Sequence, residues 1–253
     1  MKKNHLFIPY ITAGFPSKKL FLPILKTLSD NGADFIEVGV PHSDPLADGP
    51  VIQHSSKVAL ENGATLKWIV VETRLIASLR RRQKLKPLIL FSYLNPILNY
   101  GFEKLLKDLP KPLFYGLIIP DLPLEEARKY LPLFKKYKLN LILLAAPTTK
   151  KEKLRKIAKY SKGFIYLVSV AGVTGARKSL SKELKNKIKE LKSFTSKPVI
   201  VGFGISSSKQ AKEVISYGAD GVVVGSALIN TIIHSKGKES LKRLRRFIYS
   251  FKR

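Results

Sequence analysis

"PVIVGFGISSSKQAKEVISYGADGVVVGSALI", residues 198–229, holds the repeating unit of this chain. The run 198–203 is apolar without alternation, and GVVVG at 221–225 is apolar again. Between them, 207–217 spaces Ala211, Val214 and Ile215 among lysine, glutamine and glutamate at helical intervals. A strand with no polar face is covered on both sides, which is the condition of a parallel sheet under helices. Strand, amphipathic helix and strand within about thirty residues make one βαβ unit.

The same alternation runs back to the N-terminus. Strand patterns read LFIPYI (6–11), DFIEVGV (34–40), PLILFSY (87–93), GLIIP (116–120), NLILLA (140–145) and FIYLVS (164–169). Amphipathic patterns occupy 18–31, 65–82, 124–137, 150–161, 182–195, 207–217 and 238–251, and a short one lies near 100–109. Eight strands, each followed by helix, predict a closed (β/α)8 TIM barrel in one domain spanning 1–253. A doubly wound open sheet would carry a glycine-rich fingerprint after its first strand, and AGFPS (13–17) is not one. Because strand one starts near residue 6, the barrel is expected to lack a helix ahead of it, with Met1–His5 closing the base.

Composition narrows the function. Hydrophobic content of 45% with 25% charged residues is globular. No apolar run reaches the roughly eighteen residues of a membrane span, and MKKNHLFIPYITAG leads straight into a strand. The absence of cysteine removes thiolate chemistry and disulfides, so a cytoplasmic enzyme is expected. The net charge of +28 could mark a nucleic-acid surface, through RRRQKLK (80–86) and LKRLRRF (241–247). It could equally be solvated helix faces, as in KKEKLRKIAKYSK (150–162) and KELKNKIKELK (182–192). The cations spread over most helical patterns and no nucleic-acid motif accompanies them, so neither nucleic acid nor membrane is the expected partner.

In a barrel the functional face lies at the C-terminal ends of the strands. There, FIEVGVPHSDPLADGP (35–50) gathers Glu37, Asp44 and Asp48 in a chain with only 18 acids. Alternation points Glu37 inward with Phe35 and Gly39, where burial raises a carboxyl pKa toward neutrality and suits it to shuttle protons. Asp48 precedes Gly49 and Pro50, which can open a helix running to Glu61. Alone, Asp48 and Asp44 read as turn residues; beside Glu37, a second carboxylate makes an acid/base pair. His42, Asp44, Asp48 and His54 match no metal-ligand spacing, and no metal is expected. Gly204 in VGFGISS (201–207), and Gly225 with Ser226 in VVVGSALI (222–229), put bare backbone N–H groups at strand ends, as a phosphate site requires. SVAGVTGARKS (169–179) reads as a lid hinged at Gly172 and Gly175. Tyr10, Phe91, Tyr93, Tyr166 and Phe203 lie near strand ends and could line a flat pocket. Together the residues describe a barrel that binds a phosphorylated ligand with an apolar body and works on it with carboxylates.

From about residue 6 onward the chain resembles the α subunit of tryptophan synthase. The resemblance is carried by PYITAG (9–14), GADFIEVGVPHSDPLADGPVIQ (32–53), SYLNP (92–96), PDLP (120–123), YLVSVAGVTGAR (166–177), VGFGIS (201–206) and GVVVGSALI (221–229). It implies retro-aldol cleavage of indole-3-glycerol phosphate to indole and glyceraldehyde 3-phosphate. By resemblance Glu37 is the acid/base group and Asp48 the acceptor for the indole N–H, with Tyr166 beside them and Thr174 of the lid meeting Asp48. Gly175, Gly204, Gly225 and Ser226 match phosphate contacts, and Tyr10, Phe91, Tyr93 and Phe203 the indole pocket. No cofactor is implied in this subunit. Indole would pass to a pyridoxal-phosphate β subunit in an α2β2 assembly, with Asp44, Pro45, Asn95 and Asp121 on the contacting side. The chain departs from the family's pattern at His42, where phenylalanine is usual, and at Val170, where arginine is frequent; both bear on the lid. The two lid glycines, Gly172 and Gly175, predict that trypsin nicks the segment after Arg177 or Lys178, and phosphate contact at Gly175 with Thr174 reaching Asp48 predicts that a glycerol-phosphate analogue slows the cut. An indole-glycerol-phosphate synthase would need a lysine inside a strand, and no strand here has one. A non-catalytic activating subunit would be expected to have lost a carboxylate or a phosphate glycine.

Overall fold

The computed structural model describes residues 5–45, 48–78, 85–169, 182–202, 204–235 and 237–252. Nine short strands are present: β1 (Leu6–Thr12), β2 (Ile36–Gly39), β3 (Leu88–Phe91), β4 (Phe114–Ile118), β5 (Asn140–Ile142), β6 (Leu144–Ala145), β7 (Ile165–Val168), β8 (Val199–Gly202) and β9 (Gly221–Val224). All neighbours are parallel, in the order β5-β4-β3-β2-β1-β9-β8-β7-β6. The two ends of that order, β5 and β6, are consecutive in the chain and separated by Leu143 alone. They are the halves of the single strand expected over 140–145, so the sheet rolls up into the eight-stranded TIM barrel. The break has a local cause. Leu143 donates its N–H to Ser161 Oγ at 3.0 Å, which takes it out of the ladder, while its carbonyl still accepts from Tyr166 N–H at 3.1 Å.

Helices cover the outside. After β1 a 3-10 turn leads into α1 (Phe21–Asp30); β2 is followed by α2 (Pro50–Glu61) and α3 (Leu66–Ser78), and β3 by α4 (Leu94–Tyr100) and α5 (Phe102–Asp108). Then come α6 (Leu124–Lys136), α7 (Lys151–Tyr160), α8 (Lys182–Phe194), α9 (Ser208–Ser216), α10 (Ser226–Ile232) and α11 (Lys238–Lys252). Helix α2 has Pro50 in its first turn, where the missing N–H removes no helical bond. Helix α4 is an addition to the expected pattern. Its Pro96 is the third residue, in the first turn, where a proline forfeits no intrahelical bond. The Asp121 carboxylate accepts the Leu94 N–H at 2.8 Å and caps this helix from the next loop. Gly101, at φ 93°, supplies the left-handed turn that ends α4 and lets α5 begin.

The barrel interior is layered. Strand register sets Tyr10 beside Glu37, Glu37 beside Ile89 and Gly39 beside Phe91, all on the inner face. Near the strands' N-terminal ends Phe35 packs on Tyr115 (ring centroids 4.7 Å) and Phe164 (6.3 Å), and these rings fill the base. The strand β1 begins at Leu6 with no helix ahead of it among the described residues, and Met1–Asn4 lie outside them. On the outer side Phe7 meets Phe251 of α11 at 5.4 Å. No described helix is long and apolar enough to cross a membrane.

Candidate active site

Glu37 projects from β2 into the barrel and is 2% exposed. Its Oε2 has no hydrogen-bond partner among the described residues. A buried acceptor left unpaired costs about 1–3 kcal/mol, so this carboxyl is held in a place that the fold alone does not favour. Burial, and secondarily the charge of Asp48, raise its pKa to about 8.

Asp48 reaches the same cavity from the turn before α2. Its N–H donates to the Pro45 carbonyl at 2.9 Å, and its own carbonyl accepts from Gln53 Nε2 at 2.9 Å. The middle of α2 is held against β1 by the Thr12 and Ser55 hydroxyls, 2.6 Å apart. Burial raises the Asp48 pKa to about 6, and the Tyr93 hydroxyl, donating to Oδ2 at 3.0 Å, pulls against that rise. Tyr93 is in turn packed against His42, with ring centroids 5.0 Å apart. Burial first, and the nearby carboxylates next, hold the Tyr10 and Tyr166 hydroxyls well above the usual tyrosine range.

These groups open onto a cavity of about 380 Å³. One part of its wall is Tyr10, Glu37, Asp48, Phe91, Tyr166 and the first turn of α2. The other is Gly204–Ser206 after β8, with Val223, Gly225–Ala227 and Asn230 at the end of β9 and on α10. The N-cap of α10 is Gly225, which has no side chain to cap the helix, so among the described residues no N-cap bond takes up its first N–H groups. Two further glycines make room for the tyrosines: a Cβ at Gly39 would overlap the Tyr10 hydroxyl, and one at Gly202 the Tyr166 hydroxyl.

Of the residues singled out in the sequence, Tyr10, Glu37, Asp48, Phe91, Tyr166, Gly204, Gly225 and Ser226 share this wall. Tyr93, expected in the pocket lining, stands behind the wall instead, where its hydroxyl is spent on Asp48. Thr174, Gly175, Phe203 and the lid, with Val170, Gly172, Arg177 and Lys178, lie outside the described residues. Asp44, Asn95 and Asp121 are exposed and Pro45 is half-buried. Sequence reasoning missed Ile52, Val223 and Asn230. The last is one helical turn beyond Ser226, and helical spacing from that serine would have found it. No group of three histidines or acids is placed to hold a metal among the described residues.

A parallel barrel with two buried carboxyl groups and two tyrosines at the C-terminal mouth, beside glycine turns after its last two strands, defines a class: TIM-barrel enzymes that work on phosphorylated ligands by acid–base chemistry. Comparison with known proteins names the member of that class. The family model described as "Tryptophan synthase alpha chain" matches residues 1–252. The chain belongs to the tryptophan synthase alpha chain family. It is 46% identical over 240 residues to the tryptophan synthase alpha chain of Prochlorococcus marinus subsp. pastoris, covering 95% of this chain and 85% of that one. With the tryptophan synthase alpha chain of Arabidopsis thaliana it shares 43% over 246 residues, 97% of this chain and 88% of the other. Among solved structures, Mycobacterium tuberculosis tryptophan synthase superposes with TM-score 0.87 at 33% identity, covering 98% and 91% of the two chains. A mutant tryptophan synthase alpha subunit from Pyrococcus furiosus gives 0.86 at 34% identity, covering 100% and 99%.

Proposed function

We propose that this chain performs the alpha reaction of its family, cleavage of indole-3-glycerol phosphate to indole and glyceraldehyde 3-phosphate, with Glu37 as the proton shuttle and Asp48 as the anchor of the indole ring. The observation that carries the assignment is the Glu37 carboxyl: buried, unpartnered at Oε2, and open to the cavity it shares with Asp48. The reaction moves protons and one bonding pair without redox change. Indole C3 takes a proton, and the ring nitrogen becomes cationic and its N–H acidic. The hydroxyl on the adjacent carbon then loses its proton, the carbon–carbon pair returns to the ring, and the departing half leaves as the aldehyde.

One group can serve both transfers. With a pKa of about 8, Glu37 is protonated at neutral pH and can donate to C3; the resulting carboxylate then takes the hydroxyl proton and is restored. Asp48, at about 6, is ionised at the same pH and can accept from the indole N–H as positive charge develops on the ring. Two carboxyls pushed apart by their surroundings take the two roles. Tyr10, Phe91 and Tyr166 flank the indole, and the backbone at Gly204, Gly225 and Ser226 receives the phosphate, with Gly175 and Thr174 closing from the lid.

The family implies a β-subunit partner. In this reading the partner carries pyridoxal phosphate, receives indole within a cytoplasmic α2β2 assembly, and docks on the rim that bears Asp44, Pro45, Asn95 and Asp121. The deciding assay is release of glyceraldehyde 3-phosphate from indole-3-glycerol phosphate. Glu37→Gln keeps the size of the side chain but cannot shuttle protons, so the rate should fall on the order of 10³-fold while substrate still binds. A variant that retained a tenth of the wild-type rate would remove Glu37 from the mechanism.

A further inference from the structure

The cavity assigned to a phosphorylated substrate has no cationic side chain among its described lining residues; its titratable groups are Tyr10, Glu37, Asp48 and Tyr166. A phosphate monoester carries roughly two negative charges at neutral pH, and an ionised Asp48 repels it. The rest of the molecule has the opposite character. Its 46 lysines and arginines outnumber 18 acids, for a net charge of +28. Eight ion pairs are seen among the described residues, and 18 acids cannot partner 46 cations one for one, so most of the cations have no acid of their own. Lys135 on α6, Lys189 on α8, and Lys242 and Arg246 on α11 are examples, exposed and outside every one of those pairs.

Charges of one sign that are not locally neutralised sum into a potential of several kT over a protein surface. A chain of this length has a radius of gyration of about 18 Å, against a screening length of about 30 Å at 0.01 M salt, 10 Å at 0.1 M and 3 Å at 1 M. At low salt every outer helix therefore acts at the mouth of the barrel.

We infer that the unbalanced charge of the outer helices concentrates the dianionic substrate at the barrel mouth and leaves neutral indole unaffected, so that ionic strength sets the affinity for the phosphorylated ligand. The inference rests on the substrate reading above. It divides the labour of anion binding: backbone N–H groups fix the phosphate in place, and the field of the whole molecule brings it there. It also separates the two halves of the substrate, because the field acts on the phosphorylated fragment and releases the indole fragment freely.

Equilibrium dialysis of the full chain with glycerol 3-phosphate and with indole tests this. Between about 0.02 and 0.5 M KCl the Kd of glycerol 3-phosphate should rise at least tenfold, and that of indole by less than about twofold. A second arm separates the global field from a contact at the site. The combined variant Lys135→Glu, Lys189→Glu, Lys242→Glu and Arg246→Glu removes eight of the 28 net charges at positions away from the cavity. At about 0.02 M KCl it should bind glycerol 3-phosphate roughly tenfold more weakly than the parent, and the two should converge at about 0.5 M. If these reversals unfold the chain, glutamine at the same four positions should give half the logarithmic effect. A salt-independent Kd, or a folded variant that binds like the parent at low salt, overturns the inference and leaves the substrate reading standing. If glycerol 3-phosphate binds at no salt concentration, the substrate reading falls and the inference with it.

Discussion

Glu37 and Asp48 titrate on opposite sides of neutrality, at about 8 and about 6. If Glu37 must start protonated and Asp48 ionised, kcat/KM should follow a bell with limbs near those two values, apparent values that belong to the coupled pair. The Tyr93 hydroxyl is the group that lowers Asp48, so Tyr93→Phe should move the acid limb upward and narrow the bell from that side. A pH profile of the variant that overlays the parent's would remove Tyr93 from the site. The same burial carries a stability consequence. A carboxyl whose pKa is raised in the fold favours the native state fully below its unfolded value near 4.5, and that contribution is lost as pH rises toward 8. Glu37→Gln should therefore unfold at higher urea than the parent, with a gap that widens from pH 4.5 to pH 8 and reaches the order of a few kcal/mol. An equal gap at both ends of that range would mean that the carboxyl is not buried in its charged form. Two acids in an apolar, basic chain were visible in the sequence because type and position were both unusual. The bond from Tyr93 to Asp48 was not, since it joins residues 45 apart and leaves no local signature.

Elements were legible where one period ruled. Strands covered on both faces and helices with one apolar stripe came out at their expected places, because burial alone decides such patterns. The divided fifth strand and α4 depend on single hydrogen bonds from outside the segment, Ser161 to Leu143 and Asp121 to Leu94, which no periodicity encodes. A related pairing governs the barrel's inner face. Tyr10 of β1 lies over Gly39 of β2, and Tyr166 of β7 over Gly202 of β8, each ring occupying the space of the missing Cβ. Gly202→Ala should cost about 1–3 kcal/mol in urea unfolding and depress cleavage, because Tyr166 must swing into the substrate cavity. Tyr166→Ala removes the clash, so the double variant should be more stable than the two single losses added together. Simple additivity in that cycle would show that the ring and the glycine do not constrain one another.

On the scale of the molecule, the closed barrel gathers strand ends that are far apart in sequence onto one rim, and the partner must engage that rim if indole is to be passed on directly. The rim is not uniformly polar. Asn95 and Leu98 both lie on α4, and Leu98 is 50% exposed, an apolar side chain turned outward on a short helix that Asp121 caps. Asn95 and Asp121 belong to the proposed docking surface, and Leu98, one turn on from Asn95, extends it with the apolar centre that polar residues alone do not supply. A charge at that centre should be desolvated on docking without compensation. Leu98→Asp should thus weaken the complex with the β subunit roughly tenfold or more in sedimentation measurements. Leu98 does not line the catalytic cavity, so release of glyceraldehyde 3-phosphate by the isolated chain should stay within about twofold of the parent. Loss of the isolated activity would point to damage in α4 and its neighbour Tyr93. Undiminished binding would move the docking surface away from α4, and Asn95 and Asp121 would go with it.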